Sequence, residues 1–518
     1  MTQPQNGNND GQSRSPNLNQ KVPRKAWISL AILGSALLIA MYGETMLLPA
    51  IPDIIKEFNI SYTTSSWILS AYLIAGAVAT PVGGKLSDIY GRKKMVITIM
   101  IIYIIGISLG GLSTNITFLI IARVIQGIGI AMFPIAFSII RDQFPREKLA
   151  IGVGVFSSMF AAGSVVGLAL GANIIQNFGW RTTFFSIVFV AIALWFIIRR
   201  YIDNDLQDSA NVIQSAEMNI SPDSNDDKIK VSNEKDTINK NAKNIDIKGT
   251  IALAITISSF LMVLSYSQTN HIENSLIAIF LSLGTISLLL FIIIEKRSKS
   301  PLVNFQLMTN KLILSANIIL VIAFLAMFTV FQTIPVLVRS PEPLGFGESV
   351  ITTAKIQLPF MIVFLLFAPS SGFIVSKLGN VKPTLIGSIV SAIGFFSLFV
   401  YHSTGIFVAT NLAVIAAGLS LMQVGGFDII LQSTPRKFSG ISLGMTVLFN
   451  LIGASVGPAI AGIYMQANQV FVKGVIGSFP SANSYDLIFF TVAIISLVPV
   501  ALSIFIRKKI PIPSSPEL

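Results

Sequence analysis

The sequence predicts an all-α membrane protein of fourteen transmembrane helices, arranged as two six-helix halves plus two inserted transmembrane helices. Three observations lead there. Of 518 residues, 53% are hydrophobic and only 12% are charged, with a mean hydropathy of +0.74, whereas soluble domains carry about 25% charge. Apolar runs recur at the length of about 20 residues that a helix needs to cross a bilayer. A set of glycines, prolines and one lysine repeats at a nearly constant offset, which relates one half of the chain to the other.

Taken in order, residues 1–25 are polar, gain Lys21, Arg24 and Lys25 just before the first apolar run, and read as a disordered tail. The first run, about 26–49, is too long for a signal peptide, whose apolar region spans about 7 to 15 residues. It opens a first half at 26–199, with further spans at about 65–83, 95–113, 116–139, 150–172 and 182–199. Residues 200–247 are dense in Asn, Asp, Lys, Glu and Ser and are expected to form a disordered linker. Two inserted spans follow within 248–295. The second half occupies 311–506, with spans at about 311–338, 351–375, 383–401, 404–430, 439–465 and 485–506, and a basic tail at 507–518 closes the chain.

Charge orients the helices. With the N-terminus inside, the inner connections hold Lys85, Arg92, Lys93, Lys94, Arg199, Arg200, Lys296, Arg297, Lys377 and Lys382 among others, against Lys56, Arg181, Arg339, Lys355 and Lys473 outside. By the positive-inside rule both termini are then cytoplasmic. The net charge of +12 reports this topology, so no nucleic-acid partner is expected. The chain has no cysteine, which excludes disulfides and thiolate chemistry. Its two histidines, His271 and His402, fall near helix ends, so neither a metal centre nor a cofactor is expected. There is no phosphate-binding Gly-rich loop ending in Lys-Ser/Thr, which disfavours ATP-driven work. The spans also lack the convergent catalytic cluster that an enzyme would need.

The repeat sharpens the class. Pro81, Gly84, Gly91 and Lys94 recur as Pro369, Gly372, Gly379 and Lys382, each 288 residues further on. Gly127, Pro145, Gly163 and Gly167 correspond to Gly418, Pro435, Gly453 and Gly457 at offsets of 290 or 291. Parallel halves related about the membrane normal, with a site near the midplane between them, are a transporter architecture. The second copy has Ser376 and Asn380 where the first has Asp88 and Arg92, so any charged device at that loop is one-sided.

Several residues stand out chemically. Glu44 lies within the first span with no basic neighbour in sequence. An ionised carboxylate at that depth is costly, which makes Glu44 the candidate for taking up and releasing a proton; a structural hydrogen bond between helices is the alternative. Arg123 stands about seven residues inside the fourth span, where a permanent charge needs a partner or a wet cavity. Glu44 or a carbonyl of the first helix would serve, Gln126 would extend the network, and snorkelling to the outer interface is the alternative. Asp428 fits an interface as well as a cavity. Gly163, Gly167 and Gly171, with Gly453, Gly457 and Pro458, have the spacing of close helix packing, which would also suit a hinge between halves. Tyr42, Tyr72, Phe133 and Phe331, together with Gln126, are candidates for a substrate cavity that would take flat, hydrophobic, often cationic compounds.

Together these residues resemble the major facilitator superfamily, in its fourteen-helix drug:proton antiporter branch. Gly84, Leu86, Ser87, Asp88, Gly91, Arg92, Lys93 and Lys94 match the superfamily's loop between helices 2 and 3. Arg123 to Gly129 resembles its helix 4 motif, Gly43 to Pro49 the branch's first-helix motif, and Gly179-Trp180-Arg181 is typical of the branch. The helix 5 antiporter motif departs from the pattern, with Leu168 where proline is usual, while a Gly-Pro step sits at Gly457-Pro458. The resemblance covers about residues 26–506. It implies the major facilitator fold and a monomer in the plasma membrane that exchanges protons for a hydrophobic or amphiphilic small molecule. It also implies a latch at Gly84, Asp88, Gly91 and Arg92 tying the cytoplasmic ends of the halves together; a topology anchor is the plainer reading of the same charges. An ion-coupled transporter of one specific metabolite, importing it, is the alternative function.

Overall fold

The computed structural model describes residues 22–144, 149–202, 247–266, 274–298, 305–434, 439–472 and 477–509. Most of the two tails and of the 200–247 linker, His271, and the repeat residues Pro145 and Pro435 lie outside the described residues.

Among the described residues, fourteen long helices form the bundle. The first half holds α1 (Arg24–Thr45), α2 (Tyr62–Tyr90), α3 (Arg92–Gly111), α4 (Ile116–Gly127, continued through a 3-10 turn into Met132–Gln143), α5 (Leu149–Phe178) and α6 (Trp180–Tyr201). The inserted pair is α7 (Ile247–Tyr266) and α8 (Asn274–Arg297). The second half holds α9 (Lys311–Arg339), α10 (Val350–Leu378), α11 (Val381–Val400), α12 (Gly405–Ser433), α13 (Ser439–Ala467) and α14 (Ala482–Ile495, continued as Leu497–Lys509). Among the described residues, thirteen helical segments are long and apolar enough to cross a membrane, and α7 contributes a shorter apolar stretch, Lys248–Val263. These helices are apolar on nearly all sides because one flank meets other helices and the other meets lipid. Phe189 and Ile406 show the second case, more than three-quarters exposed.

The two seams between halves are α2 against α13 and α5 against α10. The inserted helix α7 packs on both α2 and α13, so the pair sits beside the first seam. Gly91, between α2 and α3, has φ +91°, and its repeat partner Gly379, between α10 and α11, has φ +75°. Such angles favour glycine, and their recurrence in both halves explains why these glycines mark the repeat.

Two features depart from the sequence expectation. The first span does not end near residue 49; Leu48–Ala50 forms a 3-10 turn and Ile51–Phe58 a further short helix, with Pro49 and Pro52 in their first turns, where proline's missing N–H costs nothing. The α13–α14 connection carries a short antiparallel hairpin, β1 (Gln469–Phe471) with β2 (Ser478–Pro480). Three-residue strands are too short to announce themselves by alternation.

Candidate transport site

The polar centre of the first half is built around Arg123. Its helix α4 starts at Asn115, whose side chain caps Phe118 N–H at 2.9 Å, and this start sets the depth of the arginine. Arg123 is fully buried. Nε donates to Ile68 O on α2 at 3.0 Å, and Nη1 donates to Gly43 O on α1 at 3.1 Å and to Gln126 Oε1 at 2.9 Å. The guanidinium also lies 4.3 Å from the centre of the Tyr72 ring. It therefore joins three helices and does not snorkel. Among the described residues, the buried Nη2 nitrogen finds no hydrogen-bond partner, nor does Tyr72 Oη.

Glu44 lies next to Gly43 and within electrostatic reach of Arg123. It is the penultimate residue of α1, just before the chain turns into Leu48–Ala50, and is 9% exposed. A permanent positive charge with one unused donor thus stands near a buried carboxyl. Gly43 makes the crowding feasible, since a Cβ there would come within 2.5 Å of Tyr103 Oη and 2.8 Å of Gln126 Nε2. Tyr103, which donates to Ile39 O at 3.0 Å, completes the centre. Sequence reasoning passed over it; the available signal was one phenol in the run Val96–Ile107, which is apolar apart from Thr98.

The proposed cavity residues separate. Tyr72 and Gln126 are fully buried at Arg123 instead of lining an open space. Tyr42 pairs with Ser186 of α6 at 3.0 Å, inside its own half. Phe133 stacks edge-on with Phe156 and Phe160 beside a cavity of about 10 Å³ lined by Leu33, Leu37, Met41, Met132 and Phe156, on the scale of a single water. Phe331 is buried between Phe328 and Phe360, with ring centres 5.8 and 5.0 Å away. Phe328 and Tyr72 share one apolar cluster with Leu73, Ile130 and Ala454, so the second half brings an aromatic wall up to the polar centre of the first.

The glycine rows pack helices within each half, not between halves. A Cβ at Gly163 would meet Leu38 O, one at Gly167 would lie 2.7 Å from Tyr42 O, and one at Gly171 would lie 2.8 Å from Met46 Cα; together they press α5 onto α1. Gly453 and Gly457 press α13 onto α9 at Val321 O and, 2.5 Å away, Leu325 O. Leu168 is buried in an unbroken α5, and Pro458 lies inside α13, which continues past it without interruption. Asp428, half-buried on α12, accepts from Gln432 at 2.7 Å.

At the loop of the expected latch, the side chain of Asp88 lies outside the described residues, and Gly91 and Arg92 terminate α2 and begin α3. Among the described residues, a Cβ on Gly84, Gly372 or Gly444 would meet nothing within 4 Å. The opposite face is closed. There a Cβ on Gly462 of α13 would lie 3.0 Å from Tyr62 O of α2, and Tyr62 N–H donates to Gln466 Oε1 at 3.1 Å.

Two repeated six-helix halves, the first of which buries a charged centre, make this a multi-pass membrane transporter, not an enzyme. The sequence pattern of the Major Facilitator Superfamily matches residues 33–458, and the chain belongs to that superfamily. It is similar to the multidrug transporter protein MdtP of Bacillus subtilis, 26% identical over 85% of this chain and 76% of the relative. It is also similar to multidrug resistance protein 3 of the same organism, 26% identical over 89% and 85% of the two chains. The tetracenomycin C resistance and export protein of Streptomyces glaucescens is 21% identical over 85% and 76%. In fold, it resembles the xylose transporter XylE of E. coli in a partially occluded inward-open conformation, with a TM-score of 0.60, 14% identity, and 96% and 100% of the chains covered.

Proposed function

We propose that this transporter exports hydrophobic or amphiphilic, often cationic, compounds across the plasma membrane in exchange for protons, by alternating access of its 26–199 and 311–506 halves. The observation that carries the reading is the burial of Glu44 and Arg123 within electrostatic reach of each other, with Arg123 Nη2 unpartnered among the described residues. A deprotonated Glu44 would take up that nitrogen, and a protonated one would release it, so the proton on Glu44 and the packing of α1, α2 and α4 change together. Desolvated charge pairs are the usual elements of proton relays in membrane transporters. The aromatic wall of Phe328, Phe331 and Phe360 beside Tyr72 supplies stacking surface for flat compounds. Relatives named as multidrug transporters support the same substrate class.

In this reading the Gly91 face is cytoplasmic, both termini lie there, and the protein works as a monomer. The open space at Gly84 and the closed contacts at Gly462 correspond to an inward-facing state, and the latch at Asp88 and Arg92 would engage in the outward-facing one. Asp88→Asn is then expected to reach the membrane at normal levels and lose transport; full transport by this variant would leave only a topology anchor. Addition of lipophilic cations to everted vesicles tests the function as a whole. Substrate-induced proton release supports export by antiport. Absence of release with every compound, together with uptake of one metabolite, supports the specific ion-coupled transporter.

A further inference from the structure

The short helix Ile51–Phe58, which continues α1 at the closed face, is tied in two directions. Toward its own half, Glu57 accepts from Trp180 Nε1 at 2.7 Å and from Arg181 Nη1 at 2.6 Å. Arg181 in turn donates through Nε to Ser113 O at 2.9 Å and lies 4.3 Å from the centre of the Trp180 ring. This accounts for the Gly179-Trp180-Arg181 stretch, which fastens the short helix to the start of α6. Toward the other half, one helical turn away, Asp53 receives a fork from Arg339 at the end of α9, with Nη2 at 2.5 Å from Oδ1 and Nη1 at 3.1 Å from Oδ2. Both partners are partly shielded, at 31% and 22% exposure, and two-pronged guanidinium–carboxylate pairs are the stronger, geometrically specific kind.

From this geometry we infer that Ile51–Phe58 is a clasp that holds the outer face shut. Glu57 anchors the clasp to the first half so that it travels with α6, and Asp53–Arg339 is the bond between halves that opens and closes. Among the described residues, the other hydrogen bonds between halves near this face are neutral: Tyr62 N–H to Gln466 Oε1 at 3.1 Å, Tyr62 Oη to Ser478 O at 3.3 Å, Gln332 Nε2 to Ser65 Oγ at 3.2 Å and Ser70 Oγ to Ser455 O at 2.7 Å. A charged, water-accessible pair can be exchanged for hydration on opening at little net cost, so it suits a contact that must break in every cycle. The anchor and the bond sit one turn apart on the same side of one eight-residue helix, which lets a single element contact both halves. The clasp rests on the alternating-access reading and is independent of which substrate or proton site is used.

The natural absence of cysteine gives a clean background for the test. Spin labels on Lys56→Cys and Lys355→Cys, both exposed and one in each half at this face, report the distance between halves by pulsed EPR. Wild type is expected to show a short and a long population. Asp53→Asn and Arg339→Gln should each enrich the long one several-fold, and the swap Asp53→Arg with Arg339→Asp should restore the short one. Unchanged populations in the single variants, or a swap that stays open, overturn the clasp while leaving alternating access intact. A single distance in wild type under all substrate and pH conditions overturns alternating access and the clasp with it.

Discussion

In the first half, Gly167 of α5 packs against Thr45 of α1, and the residue before that threonine is Glu44; in the second half, Gly457 of α13 packs against Thr329 of α9, and the residue before that threonine is Phe328. The same correspondence holds in the α3–α4 and α11–α12 pairs, where Gly106 meets Ile125 and Gln126 while Gly394 meets Ile415. Arg123 is thereby matched to the apolar stretch 412–414. The halves share their backbone contacts and differ in what those contacts surround. One half buries a carboxyl and a guanidinium, and the other presents phenylalanines to them. The repeat therefore maintains a packing scheme, while proton chemistry and apolar surface are divided between its two copies.

The largest effect should come from attacking what the halves share. Gly167→Leu and Gly457→Leu both force side-chain atoms into backbone already within 2.7 Å of the first added carbon, and overpacking of this kind costs about 1 to 3 kcal/mol or more. Both variants should lower the yield of folded protein and its thermal midpoint in detergent to a similar degree. If only one half suffers, the packing equivalence is wrong. A smaller effect is expected where the halves differ in charge. Arg123→Lys keeps the charge but loses the fork spanning Ile68 O, Gly43 O and Gln126, so transport should fall several-fold at near-normal expression. Wild-type transport rates in Arg123→Lys would mean that charge alone matters there. The smallest effect belongs to the aromatic wall. Phe328→Leu should leave proton release per transported molecule unchanged and alter only apparent substrate affinities, whereas a change in that ratio would place part of the coupling in the second half.

Much of this was legible from the chain. The length and apolarity of the spans identified the helices, because a lipid-facing helix has no polar face to conceal it. The 288-residue echo located the loops whose glycines adopt positive φ. Glu44 and Arg123 stood out because charge is rare at such depth. What remained hidden depends on side-chain direction. Tyr72 and Gln126 read as cavity residues from their chemistry, yet both turn toward Arg123, since a buried guanidinium recruits whatever acceptors and rings surround it. The glycine rows announced close packing but not the partner, and the structure pairs each row with a helix of its own half. The Ile51–Phe58 helix was missed because Pro49 and Pro52, followed by the charges of Asp53, Lys56 and Glu57, read as the end of the first span; the residues that give it meaning, Arg181 and Arg339, lie more than a hundred positions away in sequence.

The central claim is that proton exchange runs through the charged centre of the first half. It is tested most directly by proton release from everted vesicles on substrate addition, measured across pH for wild type and Glu44→Gln at matched membrane levels. The account predicts substrate-dependent release from wild type and none from Glu44→Gln. Proton-driven efflux by Glu44→Gln with unchanged pH dependence would contradict it.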